Sequence, residues 1–272
     1  MAGSKVSKNV IPKNVVLIKK ARVLDDNGRK RKLSGVEKFY VDPSKDFHSH
    51  FGVIRKEELS KKPGSVLKCG SEEFVLLGAD FIDDYKRIKR SAQIIGLKDI
   101  GPIITQTGLN RNSVVLEAGV GSGALTCYLA SVVKKVVSFD VDSRSLETAR
   151  ENVKRFGYRN VSISEGSIYD PKTVKQKGFD VLMLDVPEPW KAIETASKAL
   201  KTGGFIVVYV PNVSQVQEFV KALGIGKFEG LFLVEKTIEV VEREWAVDEN
   251  RTRPVTKDHA HTGFLTFVRK LF

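Results

Sequence analysis

The alternation of apolar and polar positions changes character about a third of the way along the chain. Up to about residue 90 the apolar runs are short, β-branched and broken by turn residues. Asn14 to Lys19 and Val36 to Val41 read as strands, and Asp26-Asn27-Gly28 as a turn. Lys62-Pro63-Gly64-Ser65 marks a further turn before two more strands, Ser65–Cys69 and Glu73–Leu77. Few of these stretches hold a helical period. Residues 1–90 are therefore expected to form a small β-rich module, an open barrel being one arrangement.

Residues 91–272 alternate strands with helix-length segments. Ser113–Glu117 runs into a glycine loop, Gly119-Val120-Gly121-Ser122-Gly123, with a helix beginning at Ala124. Lys135–Asp140 is the next strand, followed by a helix over Ser143–Phe156 with a serine at its cap. Val161–Ser164, Val181–Asp185 and Phe205–Val210 are three more strands. This order predicts an α/β domain with a parallel sheet and right-handed crossovers. Phe232–Trp245 and Thr262–Arg269 have no helix between them, so they are expected to close the sheet as an antiparallel hairpin.

Composition narrows the function classes. At about 100–200 residues per domain, the 272 residues suit one large domain with a small companion, and 42% hydrophobic residues supply an ordinary core. The longest clean apolar run, Phe205–Val210, is far short of the roughly 20 residues of a membrane helix. The charged start, Met1 to Lys8, reads as no secretory leader. Cys69 and Cys127 are the only cysteines, which disfavours a disulfide framework or a thiolate zinc site. A cytoplasmic protein with no membrane segment is expected.

The formal charge is +12, and residues 1–90 hold 21 basic against 12 acidic residues, so most of the excess lies there. Arg29-Lys30-Arg31-Lys32 and Lys86-Arg87-Ile88-Lys89-Arg90 are its densest clusters. A field of one sign over a whole module attracts polyanions. Nucleic acid is the leading partner class, since neither cluster lies on the amphipathic helical pattern that a membrane surface would select.

The glycine loop lies between a strand and a helix, where missing side chains let a ligand approach the backbone. Asp140 ends the next strand, 17 positions after Gly123, where a carboxylate can accept from both hydroxyls of a ribose. Gly119-x-Gly121-x-x-Ala124 satisfies the NAD fingerprint. Glu117-x-Gly119-x-Gly121-x-Gly123 resembles instead the first motif of class I S-adenosylmethionine methyltransferases, and the terminal hairpin agrees with that family's sheet. S-adenosylmethionine is favoured.

Asp185-Val186-Pro187-Glu188-Pro189-Trp190 follows the fourth strand, at the carboxyl edge where ligands of such sheets bind. Its prolines fix φ and hold Asp185 in place. Asp-x-Pro-x-Pro-Trp resembles the tRNA (adenine-N1)-methyltransferases that modify position 58 in the T-loop. Lys89-Arg90-Ser91-Ala92-Gln93-Ile94-Ile95-Gly96-Leu97-Lys98-Asp99, Arg251-Thr252-Arg253-Pro254, His261-Thr262-Gly263-Phe264-Leu265 and Phe47-His48-Ser49-His50-Phe51-Gly52 are similar to further motifs of that family, in the same order.

The resemblance implies a class I methyltransferase sheet with a basic N-terminal domain for tRNA binding and oligomer contacts, and a homotetramer. It implies S-adenosylmethionine held by Glu117, Gly119, Val120, Gly121, Ser122, Gly123, Ala124, Leu125, Asp140, Val141, Ser167, Ile168 and Asp185. Asp185 is the candidate catalytic residue, accepting from the adenine N6 amine while charge develops at N1. Gln93, Trp190, Arg251, Arg253 and His261 are candidate tRNA contacts, with a place in the core the favoured reading of Trp190. Some relatives methylate adenosine 57 as well.

Two departures stand out. Gly96-Leu97 replaces the aromatic (or histidine) and proline of the family pattern, and Ser167 stands where many relatives carry an acid. The pairs His48/His50 and His259/His261 have no carboxylate or cysteine at matching spacing, so no metal site is expected. The alternatives are a methyltransferase with another acceptor, a non-catalytic RNA-binding partner subunit, and an NAD-dependent oxidoreductase. The intact glycine loop, Asp140 and Asp185 speak for catalysis.

Overall fold

The computed structural model describes residues 14–26, 29–248, 251–256 and 261–272. Asn27, Gly28 and His259, named in the sequence reading, lie outside them, as do the side chains of the Arg29–Lys32 cluster. The chain divides into two compact units between Ile88 and Lys89.

The first unit carries β1 (Val15–Lys19), β2 (Arg22–Asp26), β3 (Arg29–Ser34), β4 (Glu37–Val41), β5 (Phe47–Ser49), β6 (Gly52–Ile54), α1 (Lys56–Leu59), β7 (Val66–Cys69), β8 (Glu72–Gly78) and α2 (Phe81–Tyr85). Four of the strands form an antiparallel sheet in the order β4-β1-β8-β7, while β2-β3 and β5-β6 are separate two-stranded ribbons. Among the described residues this is an open sheet with ribbons rather than a barrel. Its core joins Leu17, Ile54, Leu67, Phe74 and Leu76 to the partly buried rings of Phe39, Phe47 and Phe51. Lys19 is fully buried, and its ammonium donates to the Gly35 carbonyl at 3.1 Å and pairs with Glu37 at 3.2 Å.

The second unit carries α3 (Leu97–Thr107), β9 (Val114–Ala118), α4 (Ala124–Ala130), β10 (Lys135–Asp140), α5 (Ser143–Phe156), β11 (Val161–Glu165), β12 (Phe179–Leu184), α6 (Ile193–Ala199), β13 (Leu200–Val210), α7 (Val213–Leu223), β14 (Phe232–Glu239), β15 (Trp245–Asp248), β16 (Arg251–Pro254) and β17 (Phe264–Lys270). A seven-stranded sheet runs β11-β10-β9-β12-β13-β17-β14. The first five strands are parallel, and β17 inserts antiparallel to both β13 and β14. β12 is almost continuously buried, as a strand covered on both faces must be. The order reverses between β9 and β12, and the ligand crevice of an open α/β sheet lies at such a switch point.

Two local expectations are corrected. Phe232–Trp245 is not one strand: β14 ends at Glu239, and Trp245 opens a separate ribbon, β15-β16, that leads back to β17. The cap of α5 is Asp142 rather than a serine, its carboxylate accepting from the Ser145 N–H at 2.9 Å. At the other end Gly157, at φ +74°, supplies the left-handed turn that stops the helix.

Candidate active site

Three glycines shape the loop after β9, each for its own reason. Gly119 sits at φ +84°, and a Cβ there would fall 1.9 Å from the Asp185 carbonyl oxygen. The close approach comes from the strands themselves: the Asp185 N–H donates to the Ala118 carbonyl at 3.0 Å, and the Gly119 N–H to Phe139 at 3.1 Å. Gly121, at φ +51°, meets only Ala92 at 3.8 Å, and its N–H donates to Asp140 Oδ2 at 2.9 Å. Gly123, at φ +72°, lets α4 lie against α5, because a Cβ would stand 2.9 Å from that of Ala149.

A cavity of about 500 Å³ opens over this loop at the carboxyl ends of β9, β10, β11 and β12. Its walls are Gly119 and Gly121, then Phe139–Val141, then Gly166–Tyr169, then Asp185–Glu188, with Ala92 and Gln93 crossing above. A smaller annex continues beneath Gln93 and Ile94 to Glu117, Ser122 and Leu125. The β12 turn is tied in place from two sides. Gln215 of α7 donates to the Pro187 carbonyl at 2.8 Å, and the Glu188 N–H donates to the Tyr169 hydroxyl at 3.1 Å.

The floor of the cavity is acidic in a chain of formal charge +12. Glu117 is buried, and its Oε2 accepts from Thr126 at 2.7 Å and Ser138 at 2.6 Å. Burial outweighs those donors and pushes its carboxyl up to about 7. Asp185 is also pushed up to about 7, by burial and then by the negative charge of Asp140. Among the described residues no hydrogen-bond donor faces its carboxylate. Carboxylates held this way favour a cationic ligand, whose charge replaces the lost hydration.

Of the residues singled out in the sequence, Gly119, Gly121, Asp140, Val141, Ser167, Ile168, Asp185 and Gln93 line the main cavity. Glu117, Val120, Ser122, Ala124 and Leu125 line the annex. Gly123 serves helix packing instead. Four lie away from both cavities. Trp190 packs against the sheet core, beside the buried Ala192 and Ile193. Arg251 and Arg253 stand exposed on β16, where Arg251 pairs with Asp248 at 3.3 Å. His261 spans Glu239 Oε1 and the Pro211 carbonyl, both at 2.6 Å.

The sequence reading missed Asn152, Tyr169 and the buried Lys98–Asp99 pair. Lys98 Nζ donates to Asp99 at 2.9 Å, to the Val240 carbonyl at 2.7 Å and to Thr262 at 2.6 Å, which holds α3 to the ends of β14 and β17. The resemblance segment ending in Lys98-Asp99 was the available signal. Among the described residues no cluster of three or more histidine, cysteine or acidic side chains could hold a metal, and no helix is long and apolar enough to cross a membrane.

Residues 86–253 match the family model described as the tRNA methyltransferase complex GCD14 subunit. The chain is 33% identical to the tRNA (adenine(57)-N(1)/adenine(58)-N(1))-methyltransferase TrmI of Methanocaldococcus jannaschii, over 91% of this chain and 93% of that one. It is 34% identical to the tRNA (adenine(58)-N(1))-methyltransferase TrmI of Thermus thermophilus, over 82% and 88%. Among solved structures, a SAM-dependent O-methyltransferase of Thermotoga maritima aligns with a TM-score of 0.79 at 28% identity, covering 96% of this chain and 94% of that one. The Aquifex aeolicus tRNA (m1A58) methyltransferase TrmI aligns at 0.74 and 26%, covering 97% and 100%. The second unit thus has the class I SAM-dependent methyltransferase fold, and the chain belongs to the tRNA methyltransferase family of the GCD14 subunit and the TrmI enzymes.

Proposed function

We propose that the protein transfers a methyl group from S-adenosylmethionine to N1 of adenosine 58 in the T-loop of tRNA, forming 1-methyladenosine. The observation that carries this reading is Asp185: a carboxylate with no hydrogen-bond donor among the described residues, beside the glycine loop, in a turn tied down by Gln215 and Tyr169. The residues suit the cofactor. The acidic floor matches its ammonium and sulfonium charges, and the Gly121 position, open to the cavity, leaves room for close approach. Asp140 would hold the ribose hydroxyls, Ser167 and Ile168 the adenine, and Glu117 with Gln93 the methionine end. When bound, the cofactor supplies an electrophilic methyl on sulfur.

Adenine N1 carries a lone pair and no proton, so the protein needs no strong base. What it must supply is orientation, and stabilisation of the positive charge that spreads over the ring as the bond forms. Ionised Asp185 does both by accepting from N6. The adenine is stacked in folded tRNA, and extruding it costs about a few kcal/mol. The basic excess of the first unit supplies phosphate contacts that offset this cost. Family membership supports assembly as a homotetramer, which light scattering of the purified protein checks.

The reading is tested with labelled S-adenosylmethionine and an unmodified tRNA transcript. Label enters a transcript with adenosine at position 58. With guanosine at 58, and at 57 where that is also an adenosine, incorporation falls to background. Equal labelling of both transcripts would move the acceptor elsewhere.

A further inference from the structure

Asn152 on α5 is 1% exposed and lines neither cavity, yet three hydrogen bonds converge on its side chain. Its Nδ2 donates to the carbonyls of Lys89 and Ser122, each at 2.8 Å, and its Oδ1 accepts from the Lys89 N–H at 3.1 Å. Ser122, so held, turns its hydroxyl oxygen to accept from the N–H groups of Ser91 at 2.8 Å and Ala92 at 3.2 Å. Two buried side chains thus fix the main chain of residues 89–92.

That stretch is otherwise weakly held. Lys89, Arg90, Ser91, Ala92 and Gln93 are all exposed, and the Lys89–Glu151 ion pair at 2.7 Å is open to solvent and to screening. The segment nevertheless forms a wall of the site. Ala92 and Gln93 bound the main cavity, Gln93 to Ile95 bound the annex, and Ala92 lies over Gly121. Buried Ile95 pins the C-terminal end of the segment. Residues 89–92 are held by these main-chain hydrogen bonds together with the exposed Lys89–Glu151 pair and a Ser91–Ser122 hydroxyl contact at 3.3 Å, so this end opens when the hydrogen bonds break.

We propose that Asn152 is a positioning residue that, together with Ser122, closes a strap of residues 89–95 over the cofactor cavity and so sets how fast the cofactor leaves. The inference rests on the reading of that cavity as the S-adenosylmethionine site. Because Asn152 does not line the cavity, any effect it has on the ligand passes through the strap or through Ser122 of the glycine loop. Only the strap route changes exchange at the Ser91 and Ala92 N–H groups when ligand binds.

The test measures release of S-adenosylhomocysteine, the unreactive product, from wild-type protein, Asn152→Ala, Ser122→Ala and the double variant. The expected result for Asn152→Ala is release roughly tenfold faster, the loss of buried hydrogen bonds being felt in the closed state. KM for S-adenosylmethionine rises by a similar factor and kcat at saturation stays within about twofold. The double variant should be less than the product of the singles, since both side chains hold one strap. Amide hydrogen exchange of the wild-type protein gives a readout free of mutational damage. The N–H groups of Lys89, Ser91 and Ala92 should exchange more slowly with S-adenosylhomocysteine bound, while those at the centre of α5 stay unchanged. Unchanged release in a folded Asn152→Ala protein, or ligand-independent exchange at residues 89, 91 and 92, overturns the strap and leaves the cofactor site standing. No binding of S-adenosylhomocysteine to the wild type overturns both.

Discussion

The carbonyl oxygen of Asp185 occupies the space that a side chain on Gly119 would need, 1.9 Å from the position of its Cβ. The cofactor loop and the candidate catalytic residue are therefore one packed unit, and a change in one must move the other.

Gly119→Ala tests that unit. The new methyl must displace the Asp185 backbone and also adopt φ +84°, a region costly for any residue with a Cβ. The variant is expected to lose about 2–4 kcal/mol of stability and to bind S-adenosylhomocysteine at least about a hundredfold more weakly. Calorimetry with and without the ligand measures both.

The raised carboxyl of Asp185 makes stability depend on pH with a definite sign. Its pKa is about 7 in the folded protein, against about 3.9 in an unfolded chain. Between those values the folded state holds a proton that the unfolded state has released, so stability falls as pH rises through the window. Asp185→Asn removes this cost. At pH 8 the ligand-free variant should be more stable than wild type by an amount on the order of a few kcal/mol, and the gap should vanish near pH 4. Denaturant unfolding at the two pH values checks it. The same ionisation predicts that binding of the cationic cofactor tightens from pH 6 to pH 8 more steeply in wild type than in the variant, where Glu117 still ionises.

His261 titrates in the opposite sense. With a carboxylate at one ring nitrogen and a carbonyl at the other, both nitrogens donate, which only the imidazolium can do. The Glu239 partner raises its pKa above the ordinary 6.5, so the tie from β14 to Pro211 is fully present below the unfolded value and is lost as pH rises through the folded one. Its NMR titration should lie above the ordinary histidine value, and Glu239→Gln should lower it toward that value while the Pro211 carbonyl still favours the charged ring.

Trp190→Phe separates packing from substrate contact. The ring packs on the sheet core and stands outside the cavity. The substitution should lower stability by about 1–2 kcal/mol and leave KM for tRNA within about twofold. A selective rise in that KM would return Trp190 to the substrate surface.

The sheet was legible because its strands are short apolar runs separated by strong punctuation. Lys135–Asp140 and Ser143–Phe156 match the observed elements residue for residue. The region after β14 was not. Val240 to Trp245 continues a strand-like pattern, but pairing with β17 stops at Glu239 opposite Phe264, and a periodicity does not record where its partner strand ends. Most cavity-lining residues were legible for a different reason, as motifs at the ends of strands. Asn152 was not, since its partners are main-chain atoms 30 and 63 positions away and a polar residue within a helix carries no mark of them. Trp190 packs on the core, the reading that its sequence favoured over a substrate contact.

The most direct test of the account is to incubate the purified protein with S-adenosylmethionine and unmodified tRNA, digest, and identify the product by mass spectrometry, with Asp185→Ala alongside. The account predicts 1-methyladenosine in the T-loop fragment for wild type. For the variant it predicts a loss of at least about a thousandfold in rate, with S-adenosylhomocysteine binding retained. Methylation of the T-loop at the wild-type rate by Asp185→Ala, or a wild-type product outside the T-loop, would contradict it.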